Sequence, residues 1–468
     1  MKFSTLTLAF VAWFLTGIGH VVSAQDSQQT DTLFLNLKQA QECAIKYNAN
    51  SKNARLDIAI AKKKIMEVTA IGLPQINAQL NYQHLFVVPE LNFGGSTFLT
   101  TNLPAGTPIT SDDILNNSVY LGYQPGSPIP LAVKDNLTLD ITVSQLVFSG
   151  EYLVGLQASK VYYQISQQSN EKTELDLKES VSNTYSLLLV LEQTLKVLNQ
   201  SYENLKSTLS EMQAMNEQGF IENTDVDQIE LTTLNLENGV NSLSRQLDAA
   251  RLLLKFQLGV PFDNAIVLTE SLESVAGELP VESITTTKFD LKNNINYKIL
   301  NTSVALADLN LKREKSTYIP SIAAFYRHQE KANQPAFDFN PKDVFGLTMN
   351  IPIFASGSRM SKVGQRRLEL EKATNTRDNV ANGLELEFMN VRNELISAYD
   401  KYLNDKKNIA LTQRVYDKTL AKFKEGMSSS LDLTNAQNQF LTAQSNYYNA
   451  VYALIAAKNK LNKLTNRQ

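Results

Sequence analysis

No proline falls between Leu131 and Val260 or between Ile353 and Gln468, so each half of the chain holds more than a hundred residues through which helix can run unbroken. The two halves are copies of one unit. Leu73-Pro74-Gln75-Ile76 recurs as Ile319-Pro320-Ser321-Ile322, and Gln145-Leu146-Val147-Phe148 as Ile351-Pro352-Ile353-Phe354. Gly219 through Thr224-Asp225-Val226 recurs as Gly426 through Leu431-Asp432-Leu433. Pro320 lies 246 residues after Pro74, whereas Phe354 lies 206 after Phe148 and Asp432 207 after Asp225. The first copy therefore carries about forty extra residues between the first two landmarks. Such a repeat constrains the architecture before any element is assigned, because each element must have a counterpart.

Each copy contains coiled-coil seams. In the first, Val181, Tyr185, Leu188, Leu191, Leu195, Leu198, Tyr202, Leu205, Leu209 and Met212 follow one another in steps mostly of three and four. In the second, Leu384, Phe388, Val391, Leu395, Ala398 and Tyr402 do the same, and Leu433, Ala436, Phe440, Ala443, Tyr447, Ala450, Leu454, Ala457, Leu461 and Leu464 form the return seam. Apolar residues repeating every 3.5 positions wind helices into a left-handed supercoil. A helix from about Glu151 to about Glu217 would be roughly 100 Å long, taller than any compact core. Periodicity alone leaves an ordinary antiparallel coiled coil open.

The strands narrow the choice. Ile76, Ala78, Leu80 and Tyr82 alternate with Gln75, Asn77, Gln79, Asn81 and Gln83, and Leu137, Leu139, Ile141 and Val143 alternate with Thr138, Asp140, Thr142 and Ser144. The second copy repeats the pattern with Ile322, Ala324 and Tyr326, then with Phe345, Leu347, Met349 and Ile351 against Gly346, Thr348 and Asn350. Segments of about ten alternating residues have the form of transmembrane β-barrel strands. Four of them make an open sheet, and an open edge in hydrocarbon leaves backbone groups without partners at several kcal/mol each. Other chains must close it. Two copies would give eight strands and a barrel filled by its own side chains, whereas three give twelve and a lumen.

Residues 1–24 resemble a secretory signal: Lys2, an apolar run from Leu6 to Ile18, then Val22-Ser23-Ala24 before a mature start near Gln25. The first repeat spans 25–260, with strands at about 74–86 and 136–148 and a helical hairpin at about 150–260. A linker covers 261–298, where the heptads stop after Leu258-Gly259-Val260-Pro261. The second repeat spans 299–468, with strands at about 320–329 and 343–354 and a hairpin at about 357–466. The excess between Phe86 and Lys134, rich in glycine and proline, reads as a long loop between barrel strands. A formal charge of −3 gives no basic footprint for nucleic acid. His20, His84 and His328 have no metal-ligand spacing, and Cys43 stands alone. Neither a nucleophile elbow nor a phosphate loop is present, so no catalytic residue, metal ligand or cofactor is assigned.

Leu35-Asn36-Leu37-Lys38-Gln39-Ala40 with Ala44 and Asn48, Leu258-Gly259-Val260-Pro261, Pro352-Ile353-Phe354, and Gly426 through Leu433 with Ala436-Gln437 together resemble the TolC family of outer-membrane efflux and secretion channels. The resemblance covers essentially the whole mature chain. It implies a mainly α fold with a membrane β part: duplicated long helical hairpins form a trimeric α-barrel, continued by a 12-stranded transmembrane β-barrel with four strands per chain. It also implies a homotrimer in the outer membrane, in contact with its lipid and reaching into the periplasm.

By the same resemblance, the hairpin turns form the tip that meets a periplasmic adaptor (membrane fusion protein). Gly219, Phe220, Ile221 and Thr224 lie in one turn, and Gly426, Met427, Ser429 and Leu431 in the other. The aperture residues are Asp432, Asn435 and Asp225. Three Asp432 carboxylates facing one another would raise each other's pKa and attract cations. Asn435 is neutral where a second acidic ring is common in the family, which predicts weaker cation blockade. A helix-capping role for Asp432 stands beside this reading. Phe423 and Ser428 occupy positions where some relatives carry a tyrosine and an arginine that lock the closed state. This chain must therefore hold its inner end by packing or other hydrogen bonds, or close it less firmly.

The implied function is a passive exit duct of a tripartite efflux or type I secretion system, serving an inner-membrane pump and catalysing nothing. A periplasmic adaptor or structural coiled-coil protein is the alternative.

Overall fold

The computed structural model describes residues 32–91, 94–116, 119–124, 126, 128–277, 288–334 and 338–466. The expected signal at 1–24 lies outside them. In chain order the elements are β1 (Leu33–Leu35), α1 (Leu37–Tyr47), α2 (Ala49–Ala70), β2 (Gln75–His84), β3 (Glu90–Leu91), β4 (Ser96–Thr101), α3 (Ser111–Leu115), β5 (Val119–Gln124), β6 (Ile129–Pro130) and β7 (Asp135–Phe148). Then follow α4 (Gly150–Glu217), α5 (Asn223–Leu258), β8 (Ile266–Leu268), α6 (Leu272–Ala276), α7 (Ile295–Ser316), β9 (Ser321–Lys331), β10 (Asp343–Asn350), α8 (Ser358–Lys424) and α9 (Ser430–Thr465). The chain is mainly helical with a smaller β part, and it divides into two compact units.

One unit, Ala49–Glu179 with Leu279–Asp400 and Ala457–Gln468, holds the principal sheet. Its strand order is β10-β9-β7-β2, antiparallel throughout, with β10 and β2 as open edges. The register places the alternation on two faces. Ile76 pairs with Val143, Ala78 with Ile141 and Leu80 with Leu139 on one face, and Asn77 with Thr142, Gln79 with Asp140 and Asn81 with Thr138 on the other. Across β9 and β10 the apolar face continues with Tyr326–Phe345, Ala324–Leu347 and Ile322–Met349. The side chains of Ile76, Leu80, Phe345, Leu347 and Met349 are exposed, so within one chain this greasy face is uncovered. The register slips between Leu146 and Phe148, a bulge that re-aims the end of β7 just before α4.

The 86–134 insertion is more ordered than the loop expected from its composition. β3 pairs with β6, and β4 with β5 from Ser96–Gln124 to Thr101–Val119, with α3 between β4 and β5. Its prolines lie outside the six-residue ladder of β4 and β5, which holds one glycine, Gly122, paired with Phe98, while Pro130 sits in the two-residue strand β6.

The other unit comprises the described residues up to Asn48 with Ser180–Glu278 and Lys401–Ala456. The seam residues Val181, Tyr185, Leu188, Leu205 and Met212 of α4 are buried, as are Leu433, Ala436, Phe440, Ala443, Ala450 and Leu454 of α9. The chain start and the linker are tied in by specific polar contacts. β1 runs parallel to β8, the Tyr185 hydroxyl donates to the Leu35 carbonyl at 3.0 Å, and the Gln41 amide donates to Ser182 Oγ at 2.7 Å.

One polar device closes each repeat. Asn48 Nδ2 donates to the Gln257 carbonyl at 2.8 Å, at the end of α5, and Asn294 Nδ2 donates to the Leu464 carbonyl at 2.9 Å, at the end of α9. Asn294 lies 246 residues after Asn48 and Leu464 lies 207 after Gln257, the offsets of the sequence repeat. Both asparagines are buried. Each satisfies a carbonyl that the end of a helix leaves without an internal partner. The helices that follow them, α2 and α7, are equivalent 22-residue elements, and α7 starts four residues before the expected repeat boundary at 299.

Candidate functional site at the hairpin tips

The long helices reverse direction through matching turns. Phe220 N–H bonds the Met215 carbonyl at 3.0 Å and Gly219 N–H bonds Asn216 at 2.8 Å; Met427 N–H bonds Lys422 at 2.8 Å and Gly426 N–H bonds Phe423 at 2.9 Å. Both are Schellman ends, which need a left-handed residue after the helix. Gly219 and Gly426 supply it with φ of +77° and +72°. The termination leaves Phe220 76 % and Met427 70 % exposed, with Thr224, Ser429 and Leu431 exposed beside them. Ile221 does not share this exposure. It packs inward against a cluster of Leu205, Met212, Val226, Ile229, Tyr416, Leu433 and Phe440, drawn from all four long helices. Phe423 packs on the same cluster, so the residue without a phenol hydroxyl serves the tip as apolar filling.

Asp432 caps α9. Its N–H donates to Ser429 Oγ at 3.1 Å, while its Oδ2 accepts from the Ser429 hydroxyl at 2.7 Å and backbone N–H at 3.1 Å, a reciprocal capping box. Ser428 Oγ adds a longer contact at 3.4 Å. Asp225 is half-buried, and its Oδ1 accepts from the Ser430 hydroxyl, so the start of α9 is bonded to the start of α5. Ser430, which sequence reading did not single out, is the residue joining the two hairpins at this point. Asn435 is exposed and lies in a groove of about 450 Å³ with Asn408, Thr412, Asn438, Gln439 and Thr442, all uncharged.

Within the chain, hydrogen bonds from the Ser429 hydroxyl and then its backbone N–H hold the Asp432 carboxyl below its ordinary value of 3.8. This is opposite to the rise that three facing carboxylates would cause. A carboxyl lowered by folding contributes stability above its unfolded pKa, and that stability is lost as pH falls through the folded value. Acidification below pH 3.8 should therefore lower the amide protection factors at the start of α9. Asp432→Asn should show lower protection factors at neutral pH and little further loss of protection on acidification. Identical acid dependence in the two proteins would remove Asp432 as the titrating cap.

Among the described residues no group of His, Cys, Asp and Glu is placed to hold a metal ion, and no helix is long and apolar enough to cross a membrane. Residues 294–467 match the family model of the outer membrane efflux protein, a span that opens on Asn294 and contains the second repeat but for its last residue. The fold of this chain is similar to that of solved outer-membrane channels. It is similar to the Campylobacter jejuni CmeC outer membrane channel at 14 % identity and a TM-score of 0.69, covering 94 % of this chain and 90 % of that one. It is similar to the outer membrane protein VceC of Vibrio cholerae at 13 % identity and 0.67, covering 92 % and 95 %. The open state of the Neisseria gonorrhoeae MtrE outer membrane channel matches at 14 % identity and 0.67, covering 92 % and 88 %. No curated protein matches the sequence.

Proposed function

We propose that the protein is a passive trimeric exit duct of the outer membrane. Three chains pool their sheets into a twelve-stranded barrel, and their long hairpins form a helical conduit across the periplasm. The observation that carries this is the four-stranded sheet with an exposed apolar face and two unpaired edges. Lipid suits the face, and only another strand suits the edges. Two chains would leave a barrel packed with its own side chains, so a conduit begins with three.

The tips are where a periplasmic adaptor would dock, through Phe220 and Met427, and an inner-membrane pump behind it would supply energy for drug or metabolite efflux or type I secretion. Asp432 and Asn435 would line the aperture. Closure would rest on the apolar cluster and the Ser430–Asp225 bond, in place of a phenol and a guanidinium. A periplasmic adaptor would have no use for a sheet that is greasy on one side.

Planar-bilayer recording of the purified, detergent-extracted protein tests the duct. Stepwise conductance from a trimer is expected, and Ser430→Ala should raise the fraction of time spent open, because a hydrogen bond to a charged acceptor at the closed tip is lost. A detergent-free, soluble monomer without channel activity would refute the proposal.

A further inference from the structure

The face of α9 that bears Ser430 carries a polar stripe that the chain pairs only in part. Ser430 faces the first hairpin, since its hydroxyl bonds Asp225. Thr434, Gln437 and Gln444 stand four, seven and fourteen residues further on and so continue that face of α9. All three are buried, and Gln437 is 0 % exposed. A hairpin of this type does not require that burial, for the repeat counterparts of Thr434 and Gln437 are Asp227 and Glu230, both exposed.

The two glutamines differ in what they reach. Gln444 stands one turn before Tyr448, whose phenol lies four residues on. One heptad earlier the equivalent place is Leu441, and neither the nitrogen nor the oxygen of the Gln437 amide has a partner among the described residues. The Thr434 hydroxyl is also unpaired, as is the phenol of Tyr416, whose ring stacks on Phe440 at 5.6 Å. Four buried polar atoms thus lack hydrogen bonds within a few turns of the hairpin reversal. Groups of this kind favour any arrangement that lets water reach them.

We propose that Gln437, with Thr434 beside it, biases the packed tip toward separation of the two hairpins. The Ser430–Asp225 bond and the apolar cluster then hold shut an interface that its own polar stripe disfavours. The energetic part concerns one chain alone; its consequence for opening rests on the duct reading above.

The test uses full-length protein with Gln437→Met, which nearly preserves volume, and Gln437→Leu as a second variant. Replacing an unpaired buried amide by an apolar side chain should raise Tm by about 1–3 °C. In bilayers it should cut the open-time fraction of a Ser430→Ala channel by roughly tenfold. Unchanged or lower Tm in both variants overturns the proposal, and so does a raised Tm with unaltered open time. A wild-type protein that never conducts refutes the duct instead, and the Tm comparison still decides whether Gln437 disfavours the packed tip.

Discussion

Leu347→Arg should remove the protein from the outer-membrane fraction, while Thr348→Arg, one residue along the same strand, should leave it there. Leu347 pairs with Ala324 on the apolar face of β10, and Thr348 pairs with Ala323 on the polar one. An arginine facing lipid at mid-membrane costs about 2–4 kcal/mol. If three chains share one barrel, as proposed, that becomes roughly 6–12 kcal/mol, as much as the whole stability of an ordinary domain. The same charge on the polar face meets water. Membrane fractionation, together with the heat-dependent shift of the trimer band in electrophoresis, measures both variants. Equal behaviour of the two would mean that the sheet does not present its apolar face to lipid.

Gly259→Ala should destabilise the helical unit far more than Gly219→Ala, although both glycines have positive φ, +70° and +77°. A left-handed backbone costs any alanine about 1 kcal/mol. At Gly219 the added methyl meets nothing within 4 Å. At Gly259 it would stand 2.5 Å from the Tyr47 carbonyl oxygen, 2.6 Å from its carbon and 2.8 Å from the Asn48 nitrogen. Backbone cannot swing aside as a side chain can, and Asn48 also bonds the end of α5. The expected loss at Gly259 is therefore about 3 kcal/mol or more. Thermal unfolding of the two variants isolates the contact, and equal losses would show that the segment around Tyr47 gives way.

The parts of this fold that were legible in the sequence are those whose burial follows a fixed period. The α9 seam from Leu433 to Leu464 is buried at nearly every step because an apolar residue returns every three or four positions, alanine alternating with a large side chain over most of its length. The strands showed themselves through strict alternation, which the register places on two chemically opposite faces. By contrast, α2 escaped notice because its buried positions are Ser51 and Ala61, while Leu56, Ile60 and Met66 point outward. Small residues leave no hydrophobic period. β1 and β8 are three residues each and owe their existence to a partner far away in sequence. At the tips, the glycine turns and the Ser429-to-Asp432 spacing were local signals. The Ser430–Asp225 bond joins residues 205 apart, and no local pattern announces it.

The asparagine latch that ends each repeat has a bearing on origins. Because the bonds from Asn48 and Asn294 run within their own copies, neither latch needs a residue of the other half, and six single-length ancestors would furnish as many barrel strands as three present-day chains. If the proposed trimer holds, tandem fusion of two such genes would have turned sixfold symmetry into threefold and freed one half from matching the other. Asp227 and Glu230 could then stay wet while Thr434 and Gln437 went inside.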